Sequence, residues 1–150
     1  MYDFRFASTL DPRYRASLEN LLFFNPRQGQ VEDQILATVQ RFGSPRLLEA
    51  DGRLRVEVDR FPGVQTLFVF DSRKKPANDL CGVVMYLREG LDTLFVLHIS
   101  VAAPYGVDGR HAHALLAVRM INQLRRVARS IKGIRYVALA YASGHRRLAV

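Results

Sequence analysis

The sequence predicts an α/β domain in which a mixed, mostly antiparallel sheet is flanked by helices. Three observations support this: a helical pattern over residues 1–46, a change to a period of two near Leu47, and three dense apolar runs that follow. The last segment then has the order strand, glycine-containing loop, helix and strand, which predicts one parallel strand pair. Because 49% of the 150 residues are apolar, one core and a single domain, residues 1–150, are expected.

The N-terminal region carries the start and stop signals of two helices. Asp11 can cap a first helix that has Pro12 at its first position. A second helix is predicted from about residue 31 to 42, because apolar side chains recur there at helical spacing. Gly43 and Pro45 follow in the order that commonly ends a helix.

The middle of the chain is predicted to form the strands of the sheet. Residues 47–58 alternate between apolar and charged side chains around Asp51-Gly52, which predicts a hairpin with a tight turn. The three dense apolar runs that follow are residues 64–71, 80–87 and 93–101. Runs of this composition are typical of central strands that are covered on both faces.

A long amphipathic helix is predicted after the loop, from about Ala112 to Lys132. Its apolar positions, which are expected to face the core, are Leu116, Met120, Leu124, Val127 and Ile131. Its polar stripe, which is expected to face solvent or an acidic partner, consists of Arg119, Asn122, Arg126 and Arg129. Residues 134–141 are predicted to be a strand parallel to the one before the loop, and the tail, 142–150, carries little pattern.

The charge of the chain limits its partners without selecting one. The formal net charge is +8, which attracts polyanions such as nucleic acids, anionic membranes and the phosphates of a coenzyme. The arginines are scattered, and neither an RNA-binding signature nor zinc-finger spacing occurs, so nucleic-acid binding is kept as a weaker alternative. No apolar run reaches the roughly 20 residues of a membrane span, and no signal-peptide core is evident. We therefore expect a cytoplasmic protein with no membrane partner.

The cysteine and histidine content argues against disulfide and metal sites. Cys81 is the single cysteine, which excludes an internal disulfide and a zinc site built from several cysteines. It lies in an apolar run, which favours a buried, unreactive thiol over a nucleophile. His111 and His113 are two positions apart and would point in different directions on a helix. In an extended segment both could bind one metal ion, but a third and a fourth ligand are not evident, so no metal is expected.

Residues 92–116, DTLFVLHISVAAPYGVDGRHAHALL, followed by a helix and IRYVALAY, resemble the GNAT family of acyl-coenzyme A-dependent N-acyltransferases. In that family the strand before the loop ends roughly as L-x-V-x-P-x-Y-R-G-x-G, and Val101 and Tyr105 coincide with its Val and Tyr. The resemblance covers about residues 64–141. It implies a GNAT-like fold, acetyl-coenzyme A or another acyl-coenzyme A as cofactor, and an amine acceptor.

The coenzyme motif of the family, Q/R-x-x-G-x-G/A, is only partly matched. Counted from Val101, its positions fall on Gly106, Val107, Asp108, Gly109, Arg110 and His111, and a shift by one residue brings in Ala112. Gly109 matches, whereas the side chain of His111 would crowd a phosphate held by backbone N–H groups, and Asp108 would repel it. Arg110 can compensate with a direct positive charge. The alternative is a loop that only turns the chain into its helix.

The resemblance also implies residues for the transfer step. The thioester oxygen would be bound by a backbone N–H at the end of the strand, around Ile99, Ser100 and Val101. His98 on that strand is a candidate base, and a hydrogen-bonded core histidine is the alternative. Tyr141 is the candidate acid by its position, and packing is the alternative. The family usually continues with a helix and two strands, whereas nine residues follow Tyr141, which leaves the acid open.

The sequence thus predicts an acyl-coenzyme A-dependent N-acyltransferase of unknown acceptor. The alternatives are a catalytically inactive GNAT-like domain that binds a protein or another anion, and a nucleic-acid-binding protein. The partners to consider are a small-molecule or protein amine and a second copy of the chain.

Overall fold

The computed structural model describes residues 2–23, 45–58, 63–76, 78–106, 108–139 and 147–150. The strands are β1 (Phe4–Ala7), β2 (Pro45–Ala50), β3 (Arg53–Val58), β4 (Gln65–Asp71), β5 (Leu80–Glu89), β6 (Thr93–Val101), β7 (Tyr136–Leu139) and β8 (Arg147–Ala149), and the helices are α1 (Arg15–Phe23) and α2 (Leu116–Arg129). The helix predicted over residues 31–42 lies outside the described residues. Within them, no helix is both long and apolar enough to cross a membrane.

The described strands form one sheet of six and a separate hairpin. The order in the sheet is β1-β4-β5-β6-β7-β8, and the hairpin consists of β2 and β3. Neighbours are antiparallel except for β6 and β7, which are parallel and are connected through α2. This confirms the predicted mixed, mostly antiparallel sheet flanked by helices, and it confirms the parallel pair.

The outer half of β6 extends past the described residues of its parallel neighbour β7. Met85 lies opposite His98 and Tyr86 lies opposite Val96, so Leu97 is an extra residue that forms a β-bulge. A bulge bends its strand and increases the local twist. β7 pairs only with Thr93–Val96, and β6 therefore runs for five residues, Leu97–Val101, beyond its last described pair with β7.

Two apolar clusters cover the two faces of the sheet. One joins α1 and the hairpin to the sheet, and the other joins α2 to the opposite face. The residues of α2 that are buried are Leu116, Met120, Leu124 and Ala128. At the end of the predicted stripe Val127 is only partly buried, whereas Ile131, also partly buried, packs against the α2 cluster as predicted. The stripe advances by four residues at each step, which brings it to Ala128.

The local signals of the hairpin and of the first helix were predicted correctly. Asp51 and Gly52 both have positive φ, 54° and 71°, as a type I′ turn requires. The Asp11 side chain accepts a hydrogen bond from the N–H of Arg13 and caps a short 3₁₀ turn that leads into α1. Two short strands were missed: β1 within the region predicted to be helical, and β8 within the tail. Strands of four and three residues are too short to show a period.

The packing of α2 on the sheet predicts a large loss of stability in the variant Leu124→Ala. Leu124 is 0% exposed, and truncating such a side chain costs about 2–5 kcal/mol of unfolding free energy. The matched control is Val118→Ala on the same helix, because Val118 is 53% exposed and its truncation should change stability by less than about 0.5 kcal/mol. Urea unfolding measures both, and equal losses would contradict this packing.

Candidate functional site

The loop between β6 and α2 is folded tightly upon itself. The chain leaves β6 through a 3₁₀ turn, Ala103–Tyr105, and enters a second one, Ala112–Ala114, before α2 begins. Leu115, between this second turn and α2, is 60% exposed and has φ 52°, in the left-handed region. The helix predicted to start at Ala112 therefore starts at Leu116, because the left-handed residue interrupts it.

Backbone hydrogen bonds inside the loop engage most of the N–H groups of the predicted cradle. Their donor and acceptor residues are Gly106 to Ala103 (3.1 Å), Gly109 to Gly106 (3.0 Å), His111 to Pro104 (2.7 Å) and Ala112 to Gly109 (3.0 Å). Asp108 and Arg110 are exposed, and Val107 lies outside the described residues. The bonded groups stabilise the turn of the chain and do not point at a ligand.

The packing of the loop itself requires glycine at position 109. A β-carbon at this position would lie 2.2 Å from the carbonyl oxygen of Pro104 and 2.4 Å from that of Ala103. Only glycine permits this close approach of two backbone segments. The one glycine that matches the coenzyme motif is therefore required by the loop's own packing.

A buried carboxylate, Asp71 at the end of β4, anchors the loop to the sheet. It is 0% exposed and accepts hydrogen bonds from the Nε (3.0 Å), the Nη2 (2.8 Å) and the backbone N–H (3.0 Å) of Arg73. The hydroxyl of Tyr105 donates at 2.5 Å to Oδ2, the oxygen that also accepts from Arg73 Nη2. The Arg73 guanidinium holds the pKa of Asp71 well below its usual range, while burial and Asp71 raise the pKa of Tyr105. Asp71 stays ionised and Tyr105 stays a donor.

Tyr2 joins the N-terminal strand to the same loop. Its hydroxyl oxygen lies 2.9 Å from His111 Nδ1 and 2.9 Å from His113 Nε2. The guanidinium of Arg73 lies 4.0 Å from the centre of the Tyr2 ring, which is a cation–π contact. The expectation that the two histidines point apart was wrong, because they lie in and before a 3₁₀ turn and meet at one oxygen.

This end of the sheet is electropositive. The pKa of His111 is lowered by burial and then by the positive charges of Arg110, Arg73 and Lys74, so its imidazole is neutral at pH 7. Such a potential favours an anion near the loop.

The candidate residues on β6 are divided between the two faces of the sheet. His98 lies opposite Met85, whose side chain belongs to the α1 cluster, and directly opposed residues share a face. Ser100 is on the α1 side as well, where its hydroxyl donates to the carbonyl of Leu21 at 2.7 Å. Ile99 and Val101 pack against the α2 cluster. The candidate acid Tyr141 lies outside the described residues.

Burial determines the protonation of two further groups. It lowers the pKa of His98 to about 4, so this imidazole is neutral at pH 7. It raises the pKa of Cys81 to about 12, and the thiol is 2% exposed and donates to the carbonyl of Val69. This agrees with the predicted buried, unreactive thiol. Among the described residues, no three His, Cys, Asp or Glu side chains are grouped so that they could hold a metal ion.

Sequence reasoning missed three residues of this region, Tyr2, Asp71 and Arg73. The D-S-R order at the end of an apolar run was an available signal, because an Asp often binds the backbone N–H two residues later, as Asp71 does with Arg73. Tyr2 had no such signal, because its partners are more than a hundred positions away.

No protein-family model matches the sequence, and no curated protein matches it either. Two solved structures are similar in the general course of the chain. One is nourseothricin acetyltransferase, with 18% identity, a TM-score of 0.45, and coverage of 91% of this chain and 72% of that one. The other, from Desulfovibrio desulfuricans, carries the description of a GNAT-family acetyltransferase, with 19% identity, a TM-score of 0.41, and coverage of 93% and 72%. Likeness at this level assigns no residue and no activity.

The ion pair at Asp71 predicts a pH-dependent effect of the variant Asp71→Asn. Because the folded-state pKa lies below the unfolded value of about 3.9, the ionised group stabilises the fold above that pH. At pH 7 the variant should lose about 1.5–3 kcal/mol of unfolding free energy. The difference from the natural protein should shrink as the pH falls below about 4. Urea unfolding at both pH values measures this, and a difference independent of pH would contradict the assignment.

The close backbone approach at Gly109 predicts that Gly109→Ala destabilises the protein by about 1–3 kcal/mol without any ligand, because the added methyl group displaces backbone atoms. Gly63→Ala is the control, since a β-carbon there meets nothing within 4 Å. Thermal unfolding of both variants is the measurement. If Gly109→Ala unfolds at the temperature of the control, the loop does not require this glycine.

Proposed function

We propose that this protein binds an acyl-coenzyme A at the open end of the β6–β7 pair and transfers the acyl group to an amine. The observation that carries the proposal is the course of β6, which continues for five residues beyond its last described pair with β7. Strand main chain beyond a bulge is a recurrent place for active sites. The pantetheine arm of the coenzyme contains two amide groups, and it can pair with such a strand as an extended peptide does.

The coenzyme phosphates would lie at the end of β6, where the predicted cradle residues 106–112 form the loop. The positive charges of Arg110, Arg73 and Lys74 support this placement. The N–H groups at the start of α2 add the favourable end of a helix dipole. Since the loop's own N–H groups are bonded internally, side-chain cations and the helix start contribute more here than the glycine motif does.

In the transfer step, the acceptor amine attacks the thioester carbonyl, its proton passes to a base, and the coenzyme thiolate leaves. We assign the base to His98, whose imidazole is neutral at pH 7. Its pKa of about 4 makes it a weak base, so it would take the proton, directly or through water, once attack on the carbonyl has made the amine N–H acidic. A backbone N–H of Ile99, Ser100 or Val101 would bind the oxyanion. Tyr141 would return a proton to the thiolate. The acceptor is a small-molecule or protein amine.

A second candidate is a catalytically inactive domain that binds an anion or a protein at the same end of the sheet. The internal hydrogen bonds of the loop favour it, because they remove N–H groups on which tight coenzyme binding would depend. Only the acyltransferase would consume acyl-coenzyme A, whereas the inactive domain would bind without turnover.

The first measurement is thermal unfolding of the protein at increasing concentrations of acetyl-coenzyme A, which reports binding. The second measurement is the release of free thiol from acetyl-coenzyme A in the presence of a panel of amines, which reports acyl transfer. Acyl transfer predicts stabilisation of about 2.7 kcal/mol at 100 times the dissociation constant, and thiol release that depends on the amine. Tyr141→Phe should keep the stabilisation and lower the turnover by about 10²-fold or more.

Stabilisation without thiol release for any amine would favour the inactive domain. No stabilisation at millimolar coenzyme would contradict acyl transfer altogether. Coenzyme A without an acyl group is the control, because it should stabilise the protein and release no further thiol.

A further inference from the structure

We propose that Tyr2, His111 and His113 form a binding site for a divalent transition metal ion, with copper(II) as the ion that binds most tightly. The donor set would be two imidazole nitrogens and one phenolate oxygen. The site shares His111 with the loop proposed to receive the coenzyme phosphates, but metal binding at these three side chains does not depend on acyl transfer.

The phenol oxygen lies at a separation from each imidazole nitrogen that two ligands of one metal ion have. The phenol oxygen of Tyr2 is 2.9 Å from His111 Nδ1 and 2.9 Å from His113 Nε2. Two ligands at right angles around a metal, with bonds of about 2.0–2.1 Å, lie about 2.9 Å apart. Small rotations of the two rings and of the phenol are therefore sufficient to enclose an ion.

Contacts outside the set hold two of the three donors, Tyr2 and His111, in place. The Tyr2 ring is stacked on Phe4 at 5.9 Å, with the planes 5° apart, and its other neighbour is the guanidinium of Arg73 at 4.0 Å. The His111 ring lies 5.0 Å from Tyr105, which Asp71 fixes. Groups that are fixed before binding lose less conformational entropy when the ion arrives.

The protons of the site balance when a metal binds. A phenol hydroxyl has one hydrogen, so it donates to one imidazole and accepts the N–H of the other. On binding, the phenol releases its proton to solvent, and the donating imidazole changes tautomer by exchange with water. Both nitrogens then present lone pairs to the ion. The nearby guanidinium of Arg73 stabilises the phenolate that results.

The donor types select the ion. Imidazole and phenolate donors in a nitrogen–oxygen set suit copper(II) and nickel(II), and affinity in such sites rises to copper(II) in the divalent series. Magnesium and calcium require cages of oxygen atoms and should not bind. The neighbouring positive charges of Arg73, Lys74 and Arg110 weaken the binding of every cation. Only an ion that forms strong bonds to nitrogen therefore binds at low concentration.

The test is calorimetric titration of the protein with copper(II) chloride in a buffer that does not bind metals, with visible absorption recorded in parallel. We expect one ion per chain and a charge-transfer band from phenolate to copper. His111→Asn and His113→Asn should each lower the affinity for copper(II) by at least about tenfold. Even the loss of a residue that only hydrogen-bonds to a metal ligand lowers metal affinity by about 10–100-fold. Tyr2→Phe keeps the stacked ring and should abolish the band.

His145→Asn is the control for unspecific binding by a histidine, and it should leave both the affinity and the band unchanged. Far-ultraviolet circular dichroism verifies that each variant is folded, and His113 is exposed, so its replacement is not expected to disturb the core. Copper binding that persists in the double variant His111→Asn/His113→Asn, or an absorption band that persists in Tyr2→Phe, would overturn the proposal. Equal affinity for magnesium would overturn the proposed selectivity.

Discussion

The architecture of this end of the molecule depends on one buried carboxylate. Asp71 closes β4, receives three hydrogen bonds from Arg73, and binds the hydroxyl of Tyr105 in the loop that follows β6. A charge that is removed from water must be matched by such partners, or it would not remain ionised. The same Arg73 then lies on Tyr2, so one carboxylate positions both the N-terminal strand and the loop.

This constraint explains why the loop resembles a coenzyme cradle in its position but not in its hydrogen bonding. Because Tyr105 is held at Asp71, the chain must turn back at once, and the backbone N–H groups of Gly109 and His111 are used to close that turn. Gly109 serves the close approach to Pro104. The features proposed here for the ligand are the main chain of β6 beyond its last described pair with β7, the start of α2 and the surrounding positive charge. The proposed acyl transfer uses those three features.

Much of the sheet could be predicted because its strands are long enough to show their pattern, and because the order strand, helix, strand implies a parallel pair. The beginning of α2 could not be predicted, since it depends on Leu115 at φ 52°, a conformation that leucine rarely adopts and that only its surroundings impose. Tyr2 contacts two histidines that are separated from it by 109 and 111 positions in the sequence, and no local sequence pattern indicates such a contact. The candidate base and the strand-end residues could be named from the sequence. Which of them face α1 and which face α2 could not, because the bulge at Leu97 shifts the alternation of the strand by one residue.

The central claim is that the main chain of Leu97–Val101 receives the acyl-coenzyme A. Amide hydrogen exchange of this segment, with and without acetyl-coenzyme A, tests it most directly. Exchange of these amides should slow when the coenzyme is present, while the amides of Phe68, Val69 and Phe70, which pair with both β1 and β5, stay unchanged. Unchanged exchange at residues 97–101, with saturating coenzyme and slowing elsewhere, would contradict it.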